Sequence, residues 1–444
     1  MKQTIDGISD AGADYIIDEL ESAGFEGYYV GGCVRNFLLG LPIKDYDITA
    51  SASPETVMEL FGDRVIVDSG IKHGTVRVLL NGRVYEVTSF RKEGKYSDCR
   101  HPDKVYFCND LDEDLKRRDF TCNAMVFSKK QGIIDNFNGI YDTRNHILKA
   151  VGVASTRFKE DALRILRGLR FRSEFGFSTE ERTARAMHSN KELLENISRE
   201  RIYSELKKTF DGKYVHDALK DFGDVLEVAL KDKSGRMTEN GEFYGELYNK
   251  ALLAAERSDS GYLISFPVFL YVLYEGNLSE ALCVLNNLKC ENSLRKHTIL
   301  FFECASFLKD YFAPYKNGAI TDYSANENER QAVFDYPAKK ILIMSGEFRE
   351  EFFVFLDAVC FGTASAFPVK AFIDECRFIV SSGEYTDLSS LAIKGSDLAP
   401  LGFRGSEIGK ALDFALDEII RGRLKNEKNA IIEKLLQKRA EKSD

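Results

Sequence analysis

Residues 27–50 read GYYVGGCVRNFLLGLPIKDYDITA, and the fold class follows from this stretch. A short aromatic and β-branched run ends in Gly31-Gly32, CVRNFLLG regains helical spacing and closes on Gly40, and IKDYDITA alternates polar and apolar residues. The order is strand, tight turn, helix, strand. On its N-terminal side, residues 9–24 carry helical spacing (Ile16, Ile17, Leu20) with Gly24 as a stop signal. On its C-terminal side the pattern predicts strands at 65–68, 74–80, 84–90 and 133–136, separated by turn signals such as Asn81-Gly82. The first 150 residues therefore read as a mixed α/β domain. Beyond Thr156 the pattern is almost wholly helical. The polar stretches 231–241 and 314–329 read as surface loops or subdomain joints, and a basic helix is expected at 426–442. No internal repeat is visible, so a solenoid receives no support.

The chain has 444 residues, 44% hydrophobic and 30% charged, with 33 glycines, 8 prolines and no tryptophan. That apolar content excludes disorder and collagen-like structure, and the length implies several cores. Scarce proline argues against long extended spacers, so docked domains are expected. The formal charge of −9 argues against a polyanionic partner on average. Two patches reverse it: residues 157–172 carry net +4 and residues 421–442 net +5, so RNA is not excluded. The nine cysteines are scattered, with no Cys-x-x-Cys and no zinc-spaced Cys/His pair, which reads as reduced thiols in a cytoplasmic protein without structural zinc. The start of the chain lacks the order of a secretory signal, and the longest apolar run, around 263–274, is too short to span a bilayer. A soluble protein with no membrane association is expected.

Several residues could carry chemistry. Gly31-Gly32, between a strand and a helix, can point backbone N–H groups at an anion, and Arg35 can add a guanidinium fork to phosphate oxygens; a bare tight turn is the alternative. Asp45 and Asp47, two apart on an expected strand, project to one face, while Tyr46 and Ile48 turn to the packed side. Two such oxygen ligands suit Mg2+, which also takes phosphate oxygens and serves nucleotidyl transfer. Glu86 is either a third carboxylate facing them or an outward glutamate alternating with core residues. Of the neighbours Arg117 and Arg118, side chains one apart diverge, so one is expected to face a triphosphate and Arg118 is preferred; a surface ion pair with the acidic stretch 110–114 is the alternative.

The most specific stretch is EDALRILRGLRF, residues 160–171. Leu163, Leu166, Leu169 and Phe171 supply a buried stripe, and Asp161, Arg164, Arg167 and Arg170, each three apart, are expected along one flank of a single helix. An Asp that accepts beside an Arg that donates fits the base edges of both cytosine and adenine. Uracil and guanine put a carbonyl where the amine should be, a mismatch costing on the order of 1–3 kcal/mol. Arg167 and Arg170 would remain for phosphates. A solvated helix face with one ion pair is the weaker alternative.

In this order, GGCVRNFLLG…DYD, RRDFTCNA, DNFNGIYD (Asp135, Gly139, Asp142), EDALRILRGLRF and ERIYSEL (Glu200, Arg201, Glu205) resemble the class II tRNA nucleotidyltransferase and poly(A) polymerase family, bacterial CCA-adding enzymes in particular. The likeness is strong over residues 20–210 and returns in IKGSDLAPLGFRGSEIGKALDFALDEIIRGRLKN, residues 393–426. It implies a polymerase-β-like α/β nucleotidyltransferase head followed by an all-α neck, body and tail. The corresponding boundaries are 1–150 for the catalytic head, 151–215 for a neck with the nucleotide-selecting helix, 216–335 for the body and 336–444 for a tRNA-binding tail. It also implies Asp45 and Asp47 as the metal pair; Gly32, Arg35 and Arg118 as phosphate contacts; and Asp161, Arg164, Arg167 and Arg170 as the selecting set. The activity implied is template-independent addition of C, C and A to a tRNA 3′ end from CTP and ATP. Poly(A) or A-only addition is one alternative; a silent RNA-binding protein is another, and retention of both Asp45 and Asp47 counts against it. Oligomeric state stays open.

The chain departs from the family pattern in three places. Asn36 stands where the family usually has Asp. His216-Asp217 is the only His-Asp pair, so a second, hydrolytic site is not implied. Cys33 replaces a small residue of the turn and reads as a buried thiol. The loop 88–107, TSFRKEGKYSDCRHPDKVYF, keeps the family's Arg91, Tyr96, Asp98, Arg100 and Pro102, which favours addition of A as well as C.

Overall fold

The computed structural model describes residues 7–66, 70–93, 105–231, 245–313, 327–360, 368–383 and 387–441. The chain forms two compact units, Met1–Glu256 with Cys283–Cys290 and Arg257–Leu282 with Glu291–Asp444.

The first unit begins α1 (Ala11–Ser22), β1 (Gly27–Val30), α2 (Gly32–Leu39), β2 (Asp47–Ala50), α3 (Pro54–Phe61), β3 (Val65–Ile66), β4 (Thr75–Leu80), β5 (Arg83–Ser89), β6 (Arg91–Glu93) and β7 (Val105–Phe107). It continues α4 (Leu111–Lys116), β8 (Val126–Ser128), β9 (Gly132–Ile134) and α5 (Gly139–Arg144). Helix α1 starts where the Asp10 carboxylate accepts the N–H groups of Gly12 and Ala13 at 3.0 and 3.1 Å, offsetting the unpaired donors of the first turn. Its helical repeat buries Ala13, Ile16, Ile17 and Leu20 in one core with Val34, Leu38, Ile48, Val57, Val76, Val87 and Phe127. Each such side chain contributes roughly 1.5–3 kcal/mol on burial. The seven-stranded sheet has the order β3-β4-β5-β2-β1-β8-β9. Strand β2 sits inside it, antiparallel to β1 and parallel to β5, with Asp47 opposite Val30 on one side and Glu86 on the other. An internal strand cannot slip, because a one-residue shift would turn its buried set outward; the register therefore fixes where Asp47 sits.

Two expectations need correction. Strand β2 starts at Asp47, so Asp45 lies in the preceding segment and not on the strand; Tyr46 still packs inward, 5.9 Å from the Tyr29 ring. The helix expected through EDALRILRGLRF is broken in two. After β10 (Ile147–Leu148) come α6 (Ala154–Glu160) and α7 (Leu163–Phe175). Between them Asp161 is extended, at φ −139° and ψ 104°, and its Oδ1 accepts the Leu163 N–H at 3.1 Å. Asp competes for backbone donors and starts helices better than it continues them, so Asp161 opens α7 instead of riding on it.

Then follow β11 (Ser178–Thr179), parallel to β10, and α8 (Glu181–Ser189), α9 (Arg199–Phe210), α10 (Val215–Leu219) and α11 (Gly223–Leu230). Helix α7 packs on α9 and α10, with Leu166, Leu169, Phe171, Ile202, Leu206 and Phe210 buried. The second unit is helical. One of its cores is aromatic, with Tyr271, Phe301, Phe302, Phe352 and Phe355 in ring contact. Another joins Leu391, Leu398, Phe403, Leu416, Ile431 and Leu435, the last two on the helix Lys428–Ala440 that lies within the expected 426–442. Most of the polar stretches 231–241 and 314–329, and Tyr96, Asp98, Arg100 and Pro102 of the 88–107 loop, lie outside the described residues. No described helix is long and apolar enough to cross a membrane.

Candidate active site

A cleft of about 820 Å³ lies within the first unit, between the glycine turn and β2 on one side and α7 and α9 on the other. It falls within the ~300–1,000 Å³ of small-molecule sites. Gly32, Arg35, Asp47, Arg118, Asp161, Arg164, Arg167 and Arg170 all line it; Asp45 and Glu86 do not. Lys44, Arg117, Arg201 and Lys208 add positive charge, so basic side chains outnumber acidic ones nine to five, which suits an anionic ligand despite the acidic chain.

Gly31 makes the turn at φ 71° and ψ −117°, a conformation that strongly favours glycine, and it caps α2 without a side chain. A Cβ there would stand 3.5 Å from Arg118 Nη1, so the turn and the arginine approach closely. Cys33, next along, is buried; burial pushes its thiol up to about 12, which keeps it neutral.

At the cleft floor, desolvation and the neighbouring Glu86 carboxylate push Asp47 up to about 6, Asp45 adding to the rise while Arg118 and Arg35 oppose it. The register that sets Glu86 beside Asp47 points both side chains to one face of the sheet. Crowded hard oxygen donors of like charge are what a divalent cation relieves, and this set fits Mg2+ on that ground. Among the described residues no three His, Cys, Asp or Glu side chains converge closely enough to hold a metal ion by themselves. A metal that takes one or two carboxylates and completes its shell with phosphate oxygens and water is compatible with that.

The expected divergence of Arg117 and Arg118 does not occur. Both turn to Asp114, a fully buried carboxylate on α4: Arg117 Nη2 at 2.7 Å from Oδ1 and Arg118 Nη2 at 3.2 Å from Oδ2. Burial alone would raise the Asp114 carboxyl, but Arg118 and Arg117 outweigh it and hold it below the ordinary value. The ion pair with the stretch 110–114 therefore exists, not at the surface but as the anchor of two cleft arginines.

Arg167 and Arg170 are likewise paired. Arg167 donates to Asp119 through Nε at 2.8 Å, and its Nη2 is 2.7 Å away. Burial would raise Asp119, but Arg167 and the Asn123 amide hold it far below the usual carboxylate range. Arg170 pairs with Glu205 of α9 at 3.1 Å. Arg35, Arg167 and Arg170 stand 5.2, 5.4 and 4.5 Å from the Phe171 ring centroid, so this buried ring is a shared cation–π platform and not only part of an apolar stripe.

Asp161 faces Arg201 of α9 at 3.2 Å and not Arg164. Arg164 is fixed by Glu160 at 2.8 Å and by the carbonyls of Arg157 and Arg117 at 3.1 and 2.9 Å. Asp119, Asn123 and Lys44 carry no role in the reading of the sequence, and Asp114 enters it only as part of the acidic stretch 110–114. Their signal is weak by nature, because a buried polar or charged side chain and a surface one look alike in sequence.

Comparison with known proteins follows the same lines. The family model of the poly(A) polymerase head domain matches residues 27–149, and that of the probable RNA and SrmB-binding site of polymerase A matches residues 176–223. A CCA-adding enzyme of Lactobacillus delbrueckii subsp. bulgaricus is 37% identical over 419 residues, covering 94% of this chain and 95% of that protein. One from Streptococcus mutans is 34% identical over 420 residues, covering 94% of each. Among solved structures, the Bacillus stearothermophilus CCA-adding enzyme in complex with CTP superposes with a TM-score of 0.69 at 29% identity, over 97% of both chains. The Thermotoga maritima CCA-adding enzyme complexed with tRNA shares the fold, with a TM-score of 0.62 at 19% identity over 98% of this chain and 97% of that one.

Proposed function

We propose, for a chain that belongs to the family of bacterial CCA-adding enzymes, that the cleft adds C, C and A to the 3′ end of tRNA from CTP and ATP, without a nucleic acid template and with release of pyrophosphate. One observation carries the reading: the carboxylate expected to serve the metal, Asp47, and the pair expected to judge the base, Asp161 and Arg164, line a single cleft large enough for one nucleoside triphosphate.

Asp45 and Asp47, with Glu86 beside them, would hold Mg2+, which when bound activates the tRNA hydroxyl and neutralises the leaving pyrophosphate. Arg118 and Arg117, held in place by Asp114, face the triphosphate together with Arg35 and the backbone of the Gly31-Gly32 turn. Asp161, whose Oδ1 already accepts the Leu163 N–H, keeps lone pairs for the amino group that cytosine and adenine share. Arg164, clamped by Glu160 and two carbonyls, lines the same cleft and would meet the base from there. Arg167 and Arg170 act in this reading through the acids they hold, Asp119 and Glu205, and so shape the pocket wall instead of gripping phosphate. The helical regions after residue 215, with the basic stretch 421–442, would grip the tRNA. A cytoplasmic location goes with these substrates.

The test is a tRNA transcript lacking CCA, incubated with each labelled triphosphate. Incorporation of C followed by one A supports the reading; long A tails would replace it with poly(A) synthesis, and no incorporation would overturn it.

A further inference from the structure

Asn36, on α2, makes two kinds of contact that need an acceptor and a donor on one short side chain. Its Oδ1 accepts from Arg35 Nε at 3.2 Å and Nη2 at 2.9 Å, while its Nδ2 donates to the Pro42 carbonyl at 3.2 Å. The amide orientation is dictated by chemistry, since a guanidinium only donates and a carbonyl only accepts. On its far side Arg35 donates from Nη1 to Asn123 Oδ1 at 2.6 Å, and its plane lies 4.4 Å from the Phe175 ring centroid. Asn123 in turn donates to Asp119 at 3.1 Å, and Asp119 holds Arg167 of α7. A continuous polar chain thus runs from the helix that faces the base to the segment carrying Asp45.

We infer that Asn36 is a positioning residue for nucleotidyl transfer, acting in two directions: it aims the Arg35 guanidinium at the triphosphate and ties down the segment 41–46 that delivers Asp45 and Asp47. The inference rests on the proposed activity of this cleft. Of the five N–H groups of an arginine, Nε, one on Nη1 and one on Nη2 are committed to Asn36 and Asn123, and the remaining two, one on each Nη, are directed by that grip. The guanidinium is therefore held for a phosphate without losing its donors. At the other end, the Leu41 N–H bonds back to the Asn36 carbonyl at 2.9 Å, so main chain and side chain of one residue both fasten the turn out of α2. A carboxylate of the same shape could keep the first function and not the second, because it has no donor for the Pro42 carbonyl. An alanine could do neither.

Two variants separate the halves. Asn36→Ala should weaken binding of CTP, measured calorimetrically in EDTA without tRNA, by about tenfold, the scale of one lost charge-assisted hydrogen bond. Asn36→Asp should bind CTP within about twofold of the parent, yet show amide hydrogen exchange over residues 41–46 about fivefold faster or more, and a lower kcat for C addition at little-changed KM. Unchanged CTP affinity in Asn36→Ala would overturn the Arg35 half, and unchanged exchange in Asn36→Asp the loop half. Far-UV circular dichroism and thermal midpoint check that both variants fold. Neither CTP binding nor exchange requires turnover, so failure of the inference and failure of the assigned activity are distinguishable.

Discussion

Asp114→Asn probes the anchoring of the cleft at its least visible point. The wild-type carboxylate has no solvent exposure and accepts from Arg117 Nε at 2.9 Å and Nη2 at 2.7 Å on one oxygen, and from Arg118 Nη2 at 3.2 Å and Thr49 Oγ1 at 3.3 Å on the other. An amide keeps the shape, but whichever way it turns, one arginine meets an N–H instead of an oxygen. Charge-assisted hydrogen bonds contribute about 1.5–3 kcal/mol each, and the arginines, at 15% and 17% side-chain exposure, recover part of the loss from water. The expected destabilisation of the first unit is about 2–4 kcal/mol in urea unfolding at pH 7. Arg118, released from its anchor, should also lower CTP affinity by about tenfold. The pH dependence has a defined sign. The folded carboxyl lies below its ordinary value, so its stabilising contribution is present above the unfolded value near ~4 and fades as pH falls through the folded one. The gap between wild type and variant should therefore narrow on acidification below about pH 4. A variant within 0.5 kcal/mol of wild type, on the order of a neutral surface substitution, and with unchanged CTP affinity, would refute the anchoring argument.

Asp47→Asn should abolish incorporation while leaving tRNA affinity near normal, and in EDTA it should raise the thermal midpoint at pH 8. The reason is that desolvation in the cleft and the neighbouring Glu86 hold the folded carboxyl up at about 6, so its ionised form disfavours folding above that pH; water reaches this exposed side chain and keeps the gain small, and it should vanish once pH falls below the unfolded value near ~4. A midpoint lower than wild type at pH 8 would contradict the crowding of carboxylates. Asp161→Ala should blur the choice of CTP over UTP, by roughly 5- to 150-fold if the mismatch is worth ~1–3 kcal/mol; an unchanged ratio of kcat/KM would remove base reading from this residue. Phe171→Leu should cost about 1–3 kcal/mol in unfolding and raise KM for both nucleotides, because three guanidiniums lose a shared ring. Equal KM values would confine Phe171 to packing.

The sequence by itself determined the start of the head, because period-two and period-3.6 patterns punctuated by glycine are local: α1, the Gly31-Gly32 turn, α2 and the strands β3, β4, β5 and β9 stand within a few residues of where their spacing put them, whereas the short α3, β6, β7, α4 and β8 carry no run long enough to read. It also brought forward eight of the residues that line the cleft, since each stands in a distinct motif whose residue types and order can be read along the chain. Tertiary structure alone decided whom those residues face. Asp161, Arg164, Arg167 and Arg170 looked like neighbours on one helix, and each found its partner on another element or turn: Arg201, Glu160 with two carbonyls, Asp119 and Glu205. Glu160 and Arg164 have the i, i+4 spacing that a sequence can show, but the other three pairs join residues 40, 48 and 35 apart, where packing brings opposite charges together out of water and no periodicity encodes the meeting. The burial of Asp114 and the grip of Asn36 on the Pro42 carbonyl are of the same kind, set by the fold of distant segments around one cleft.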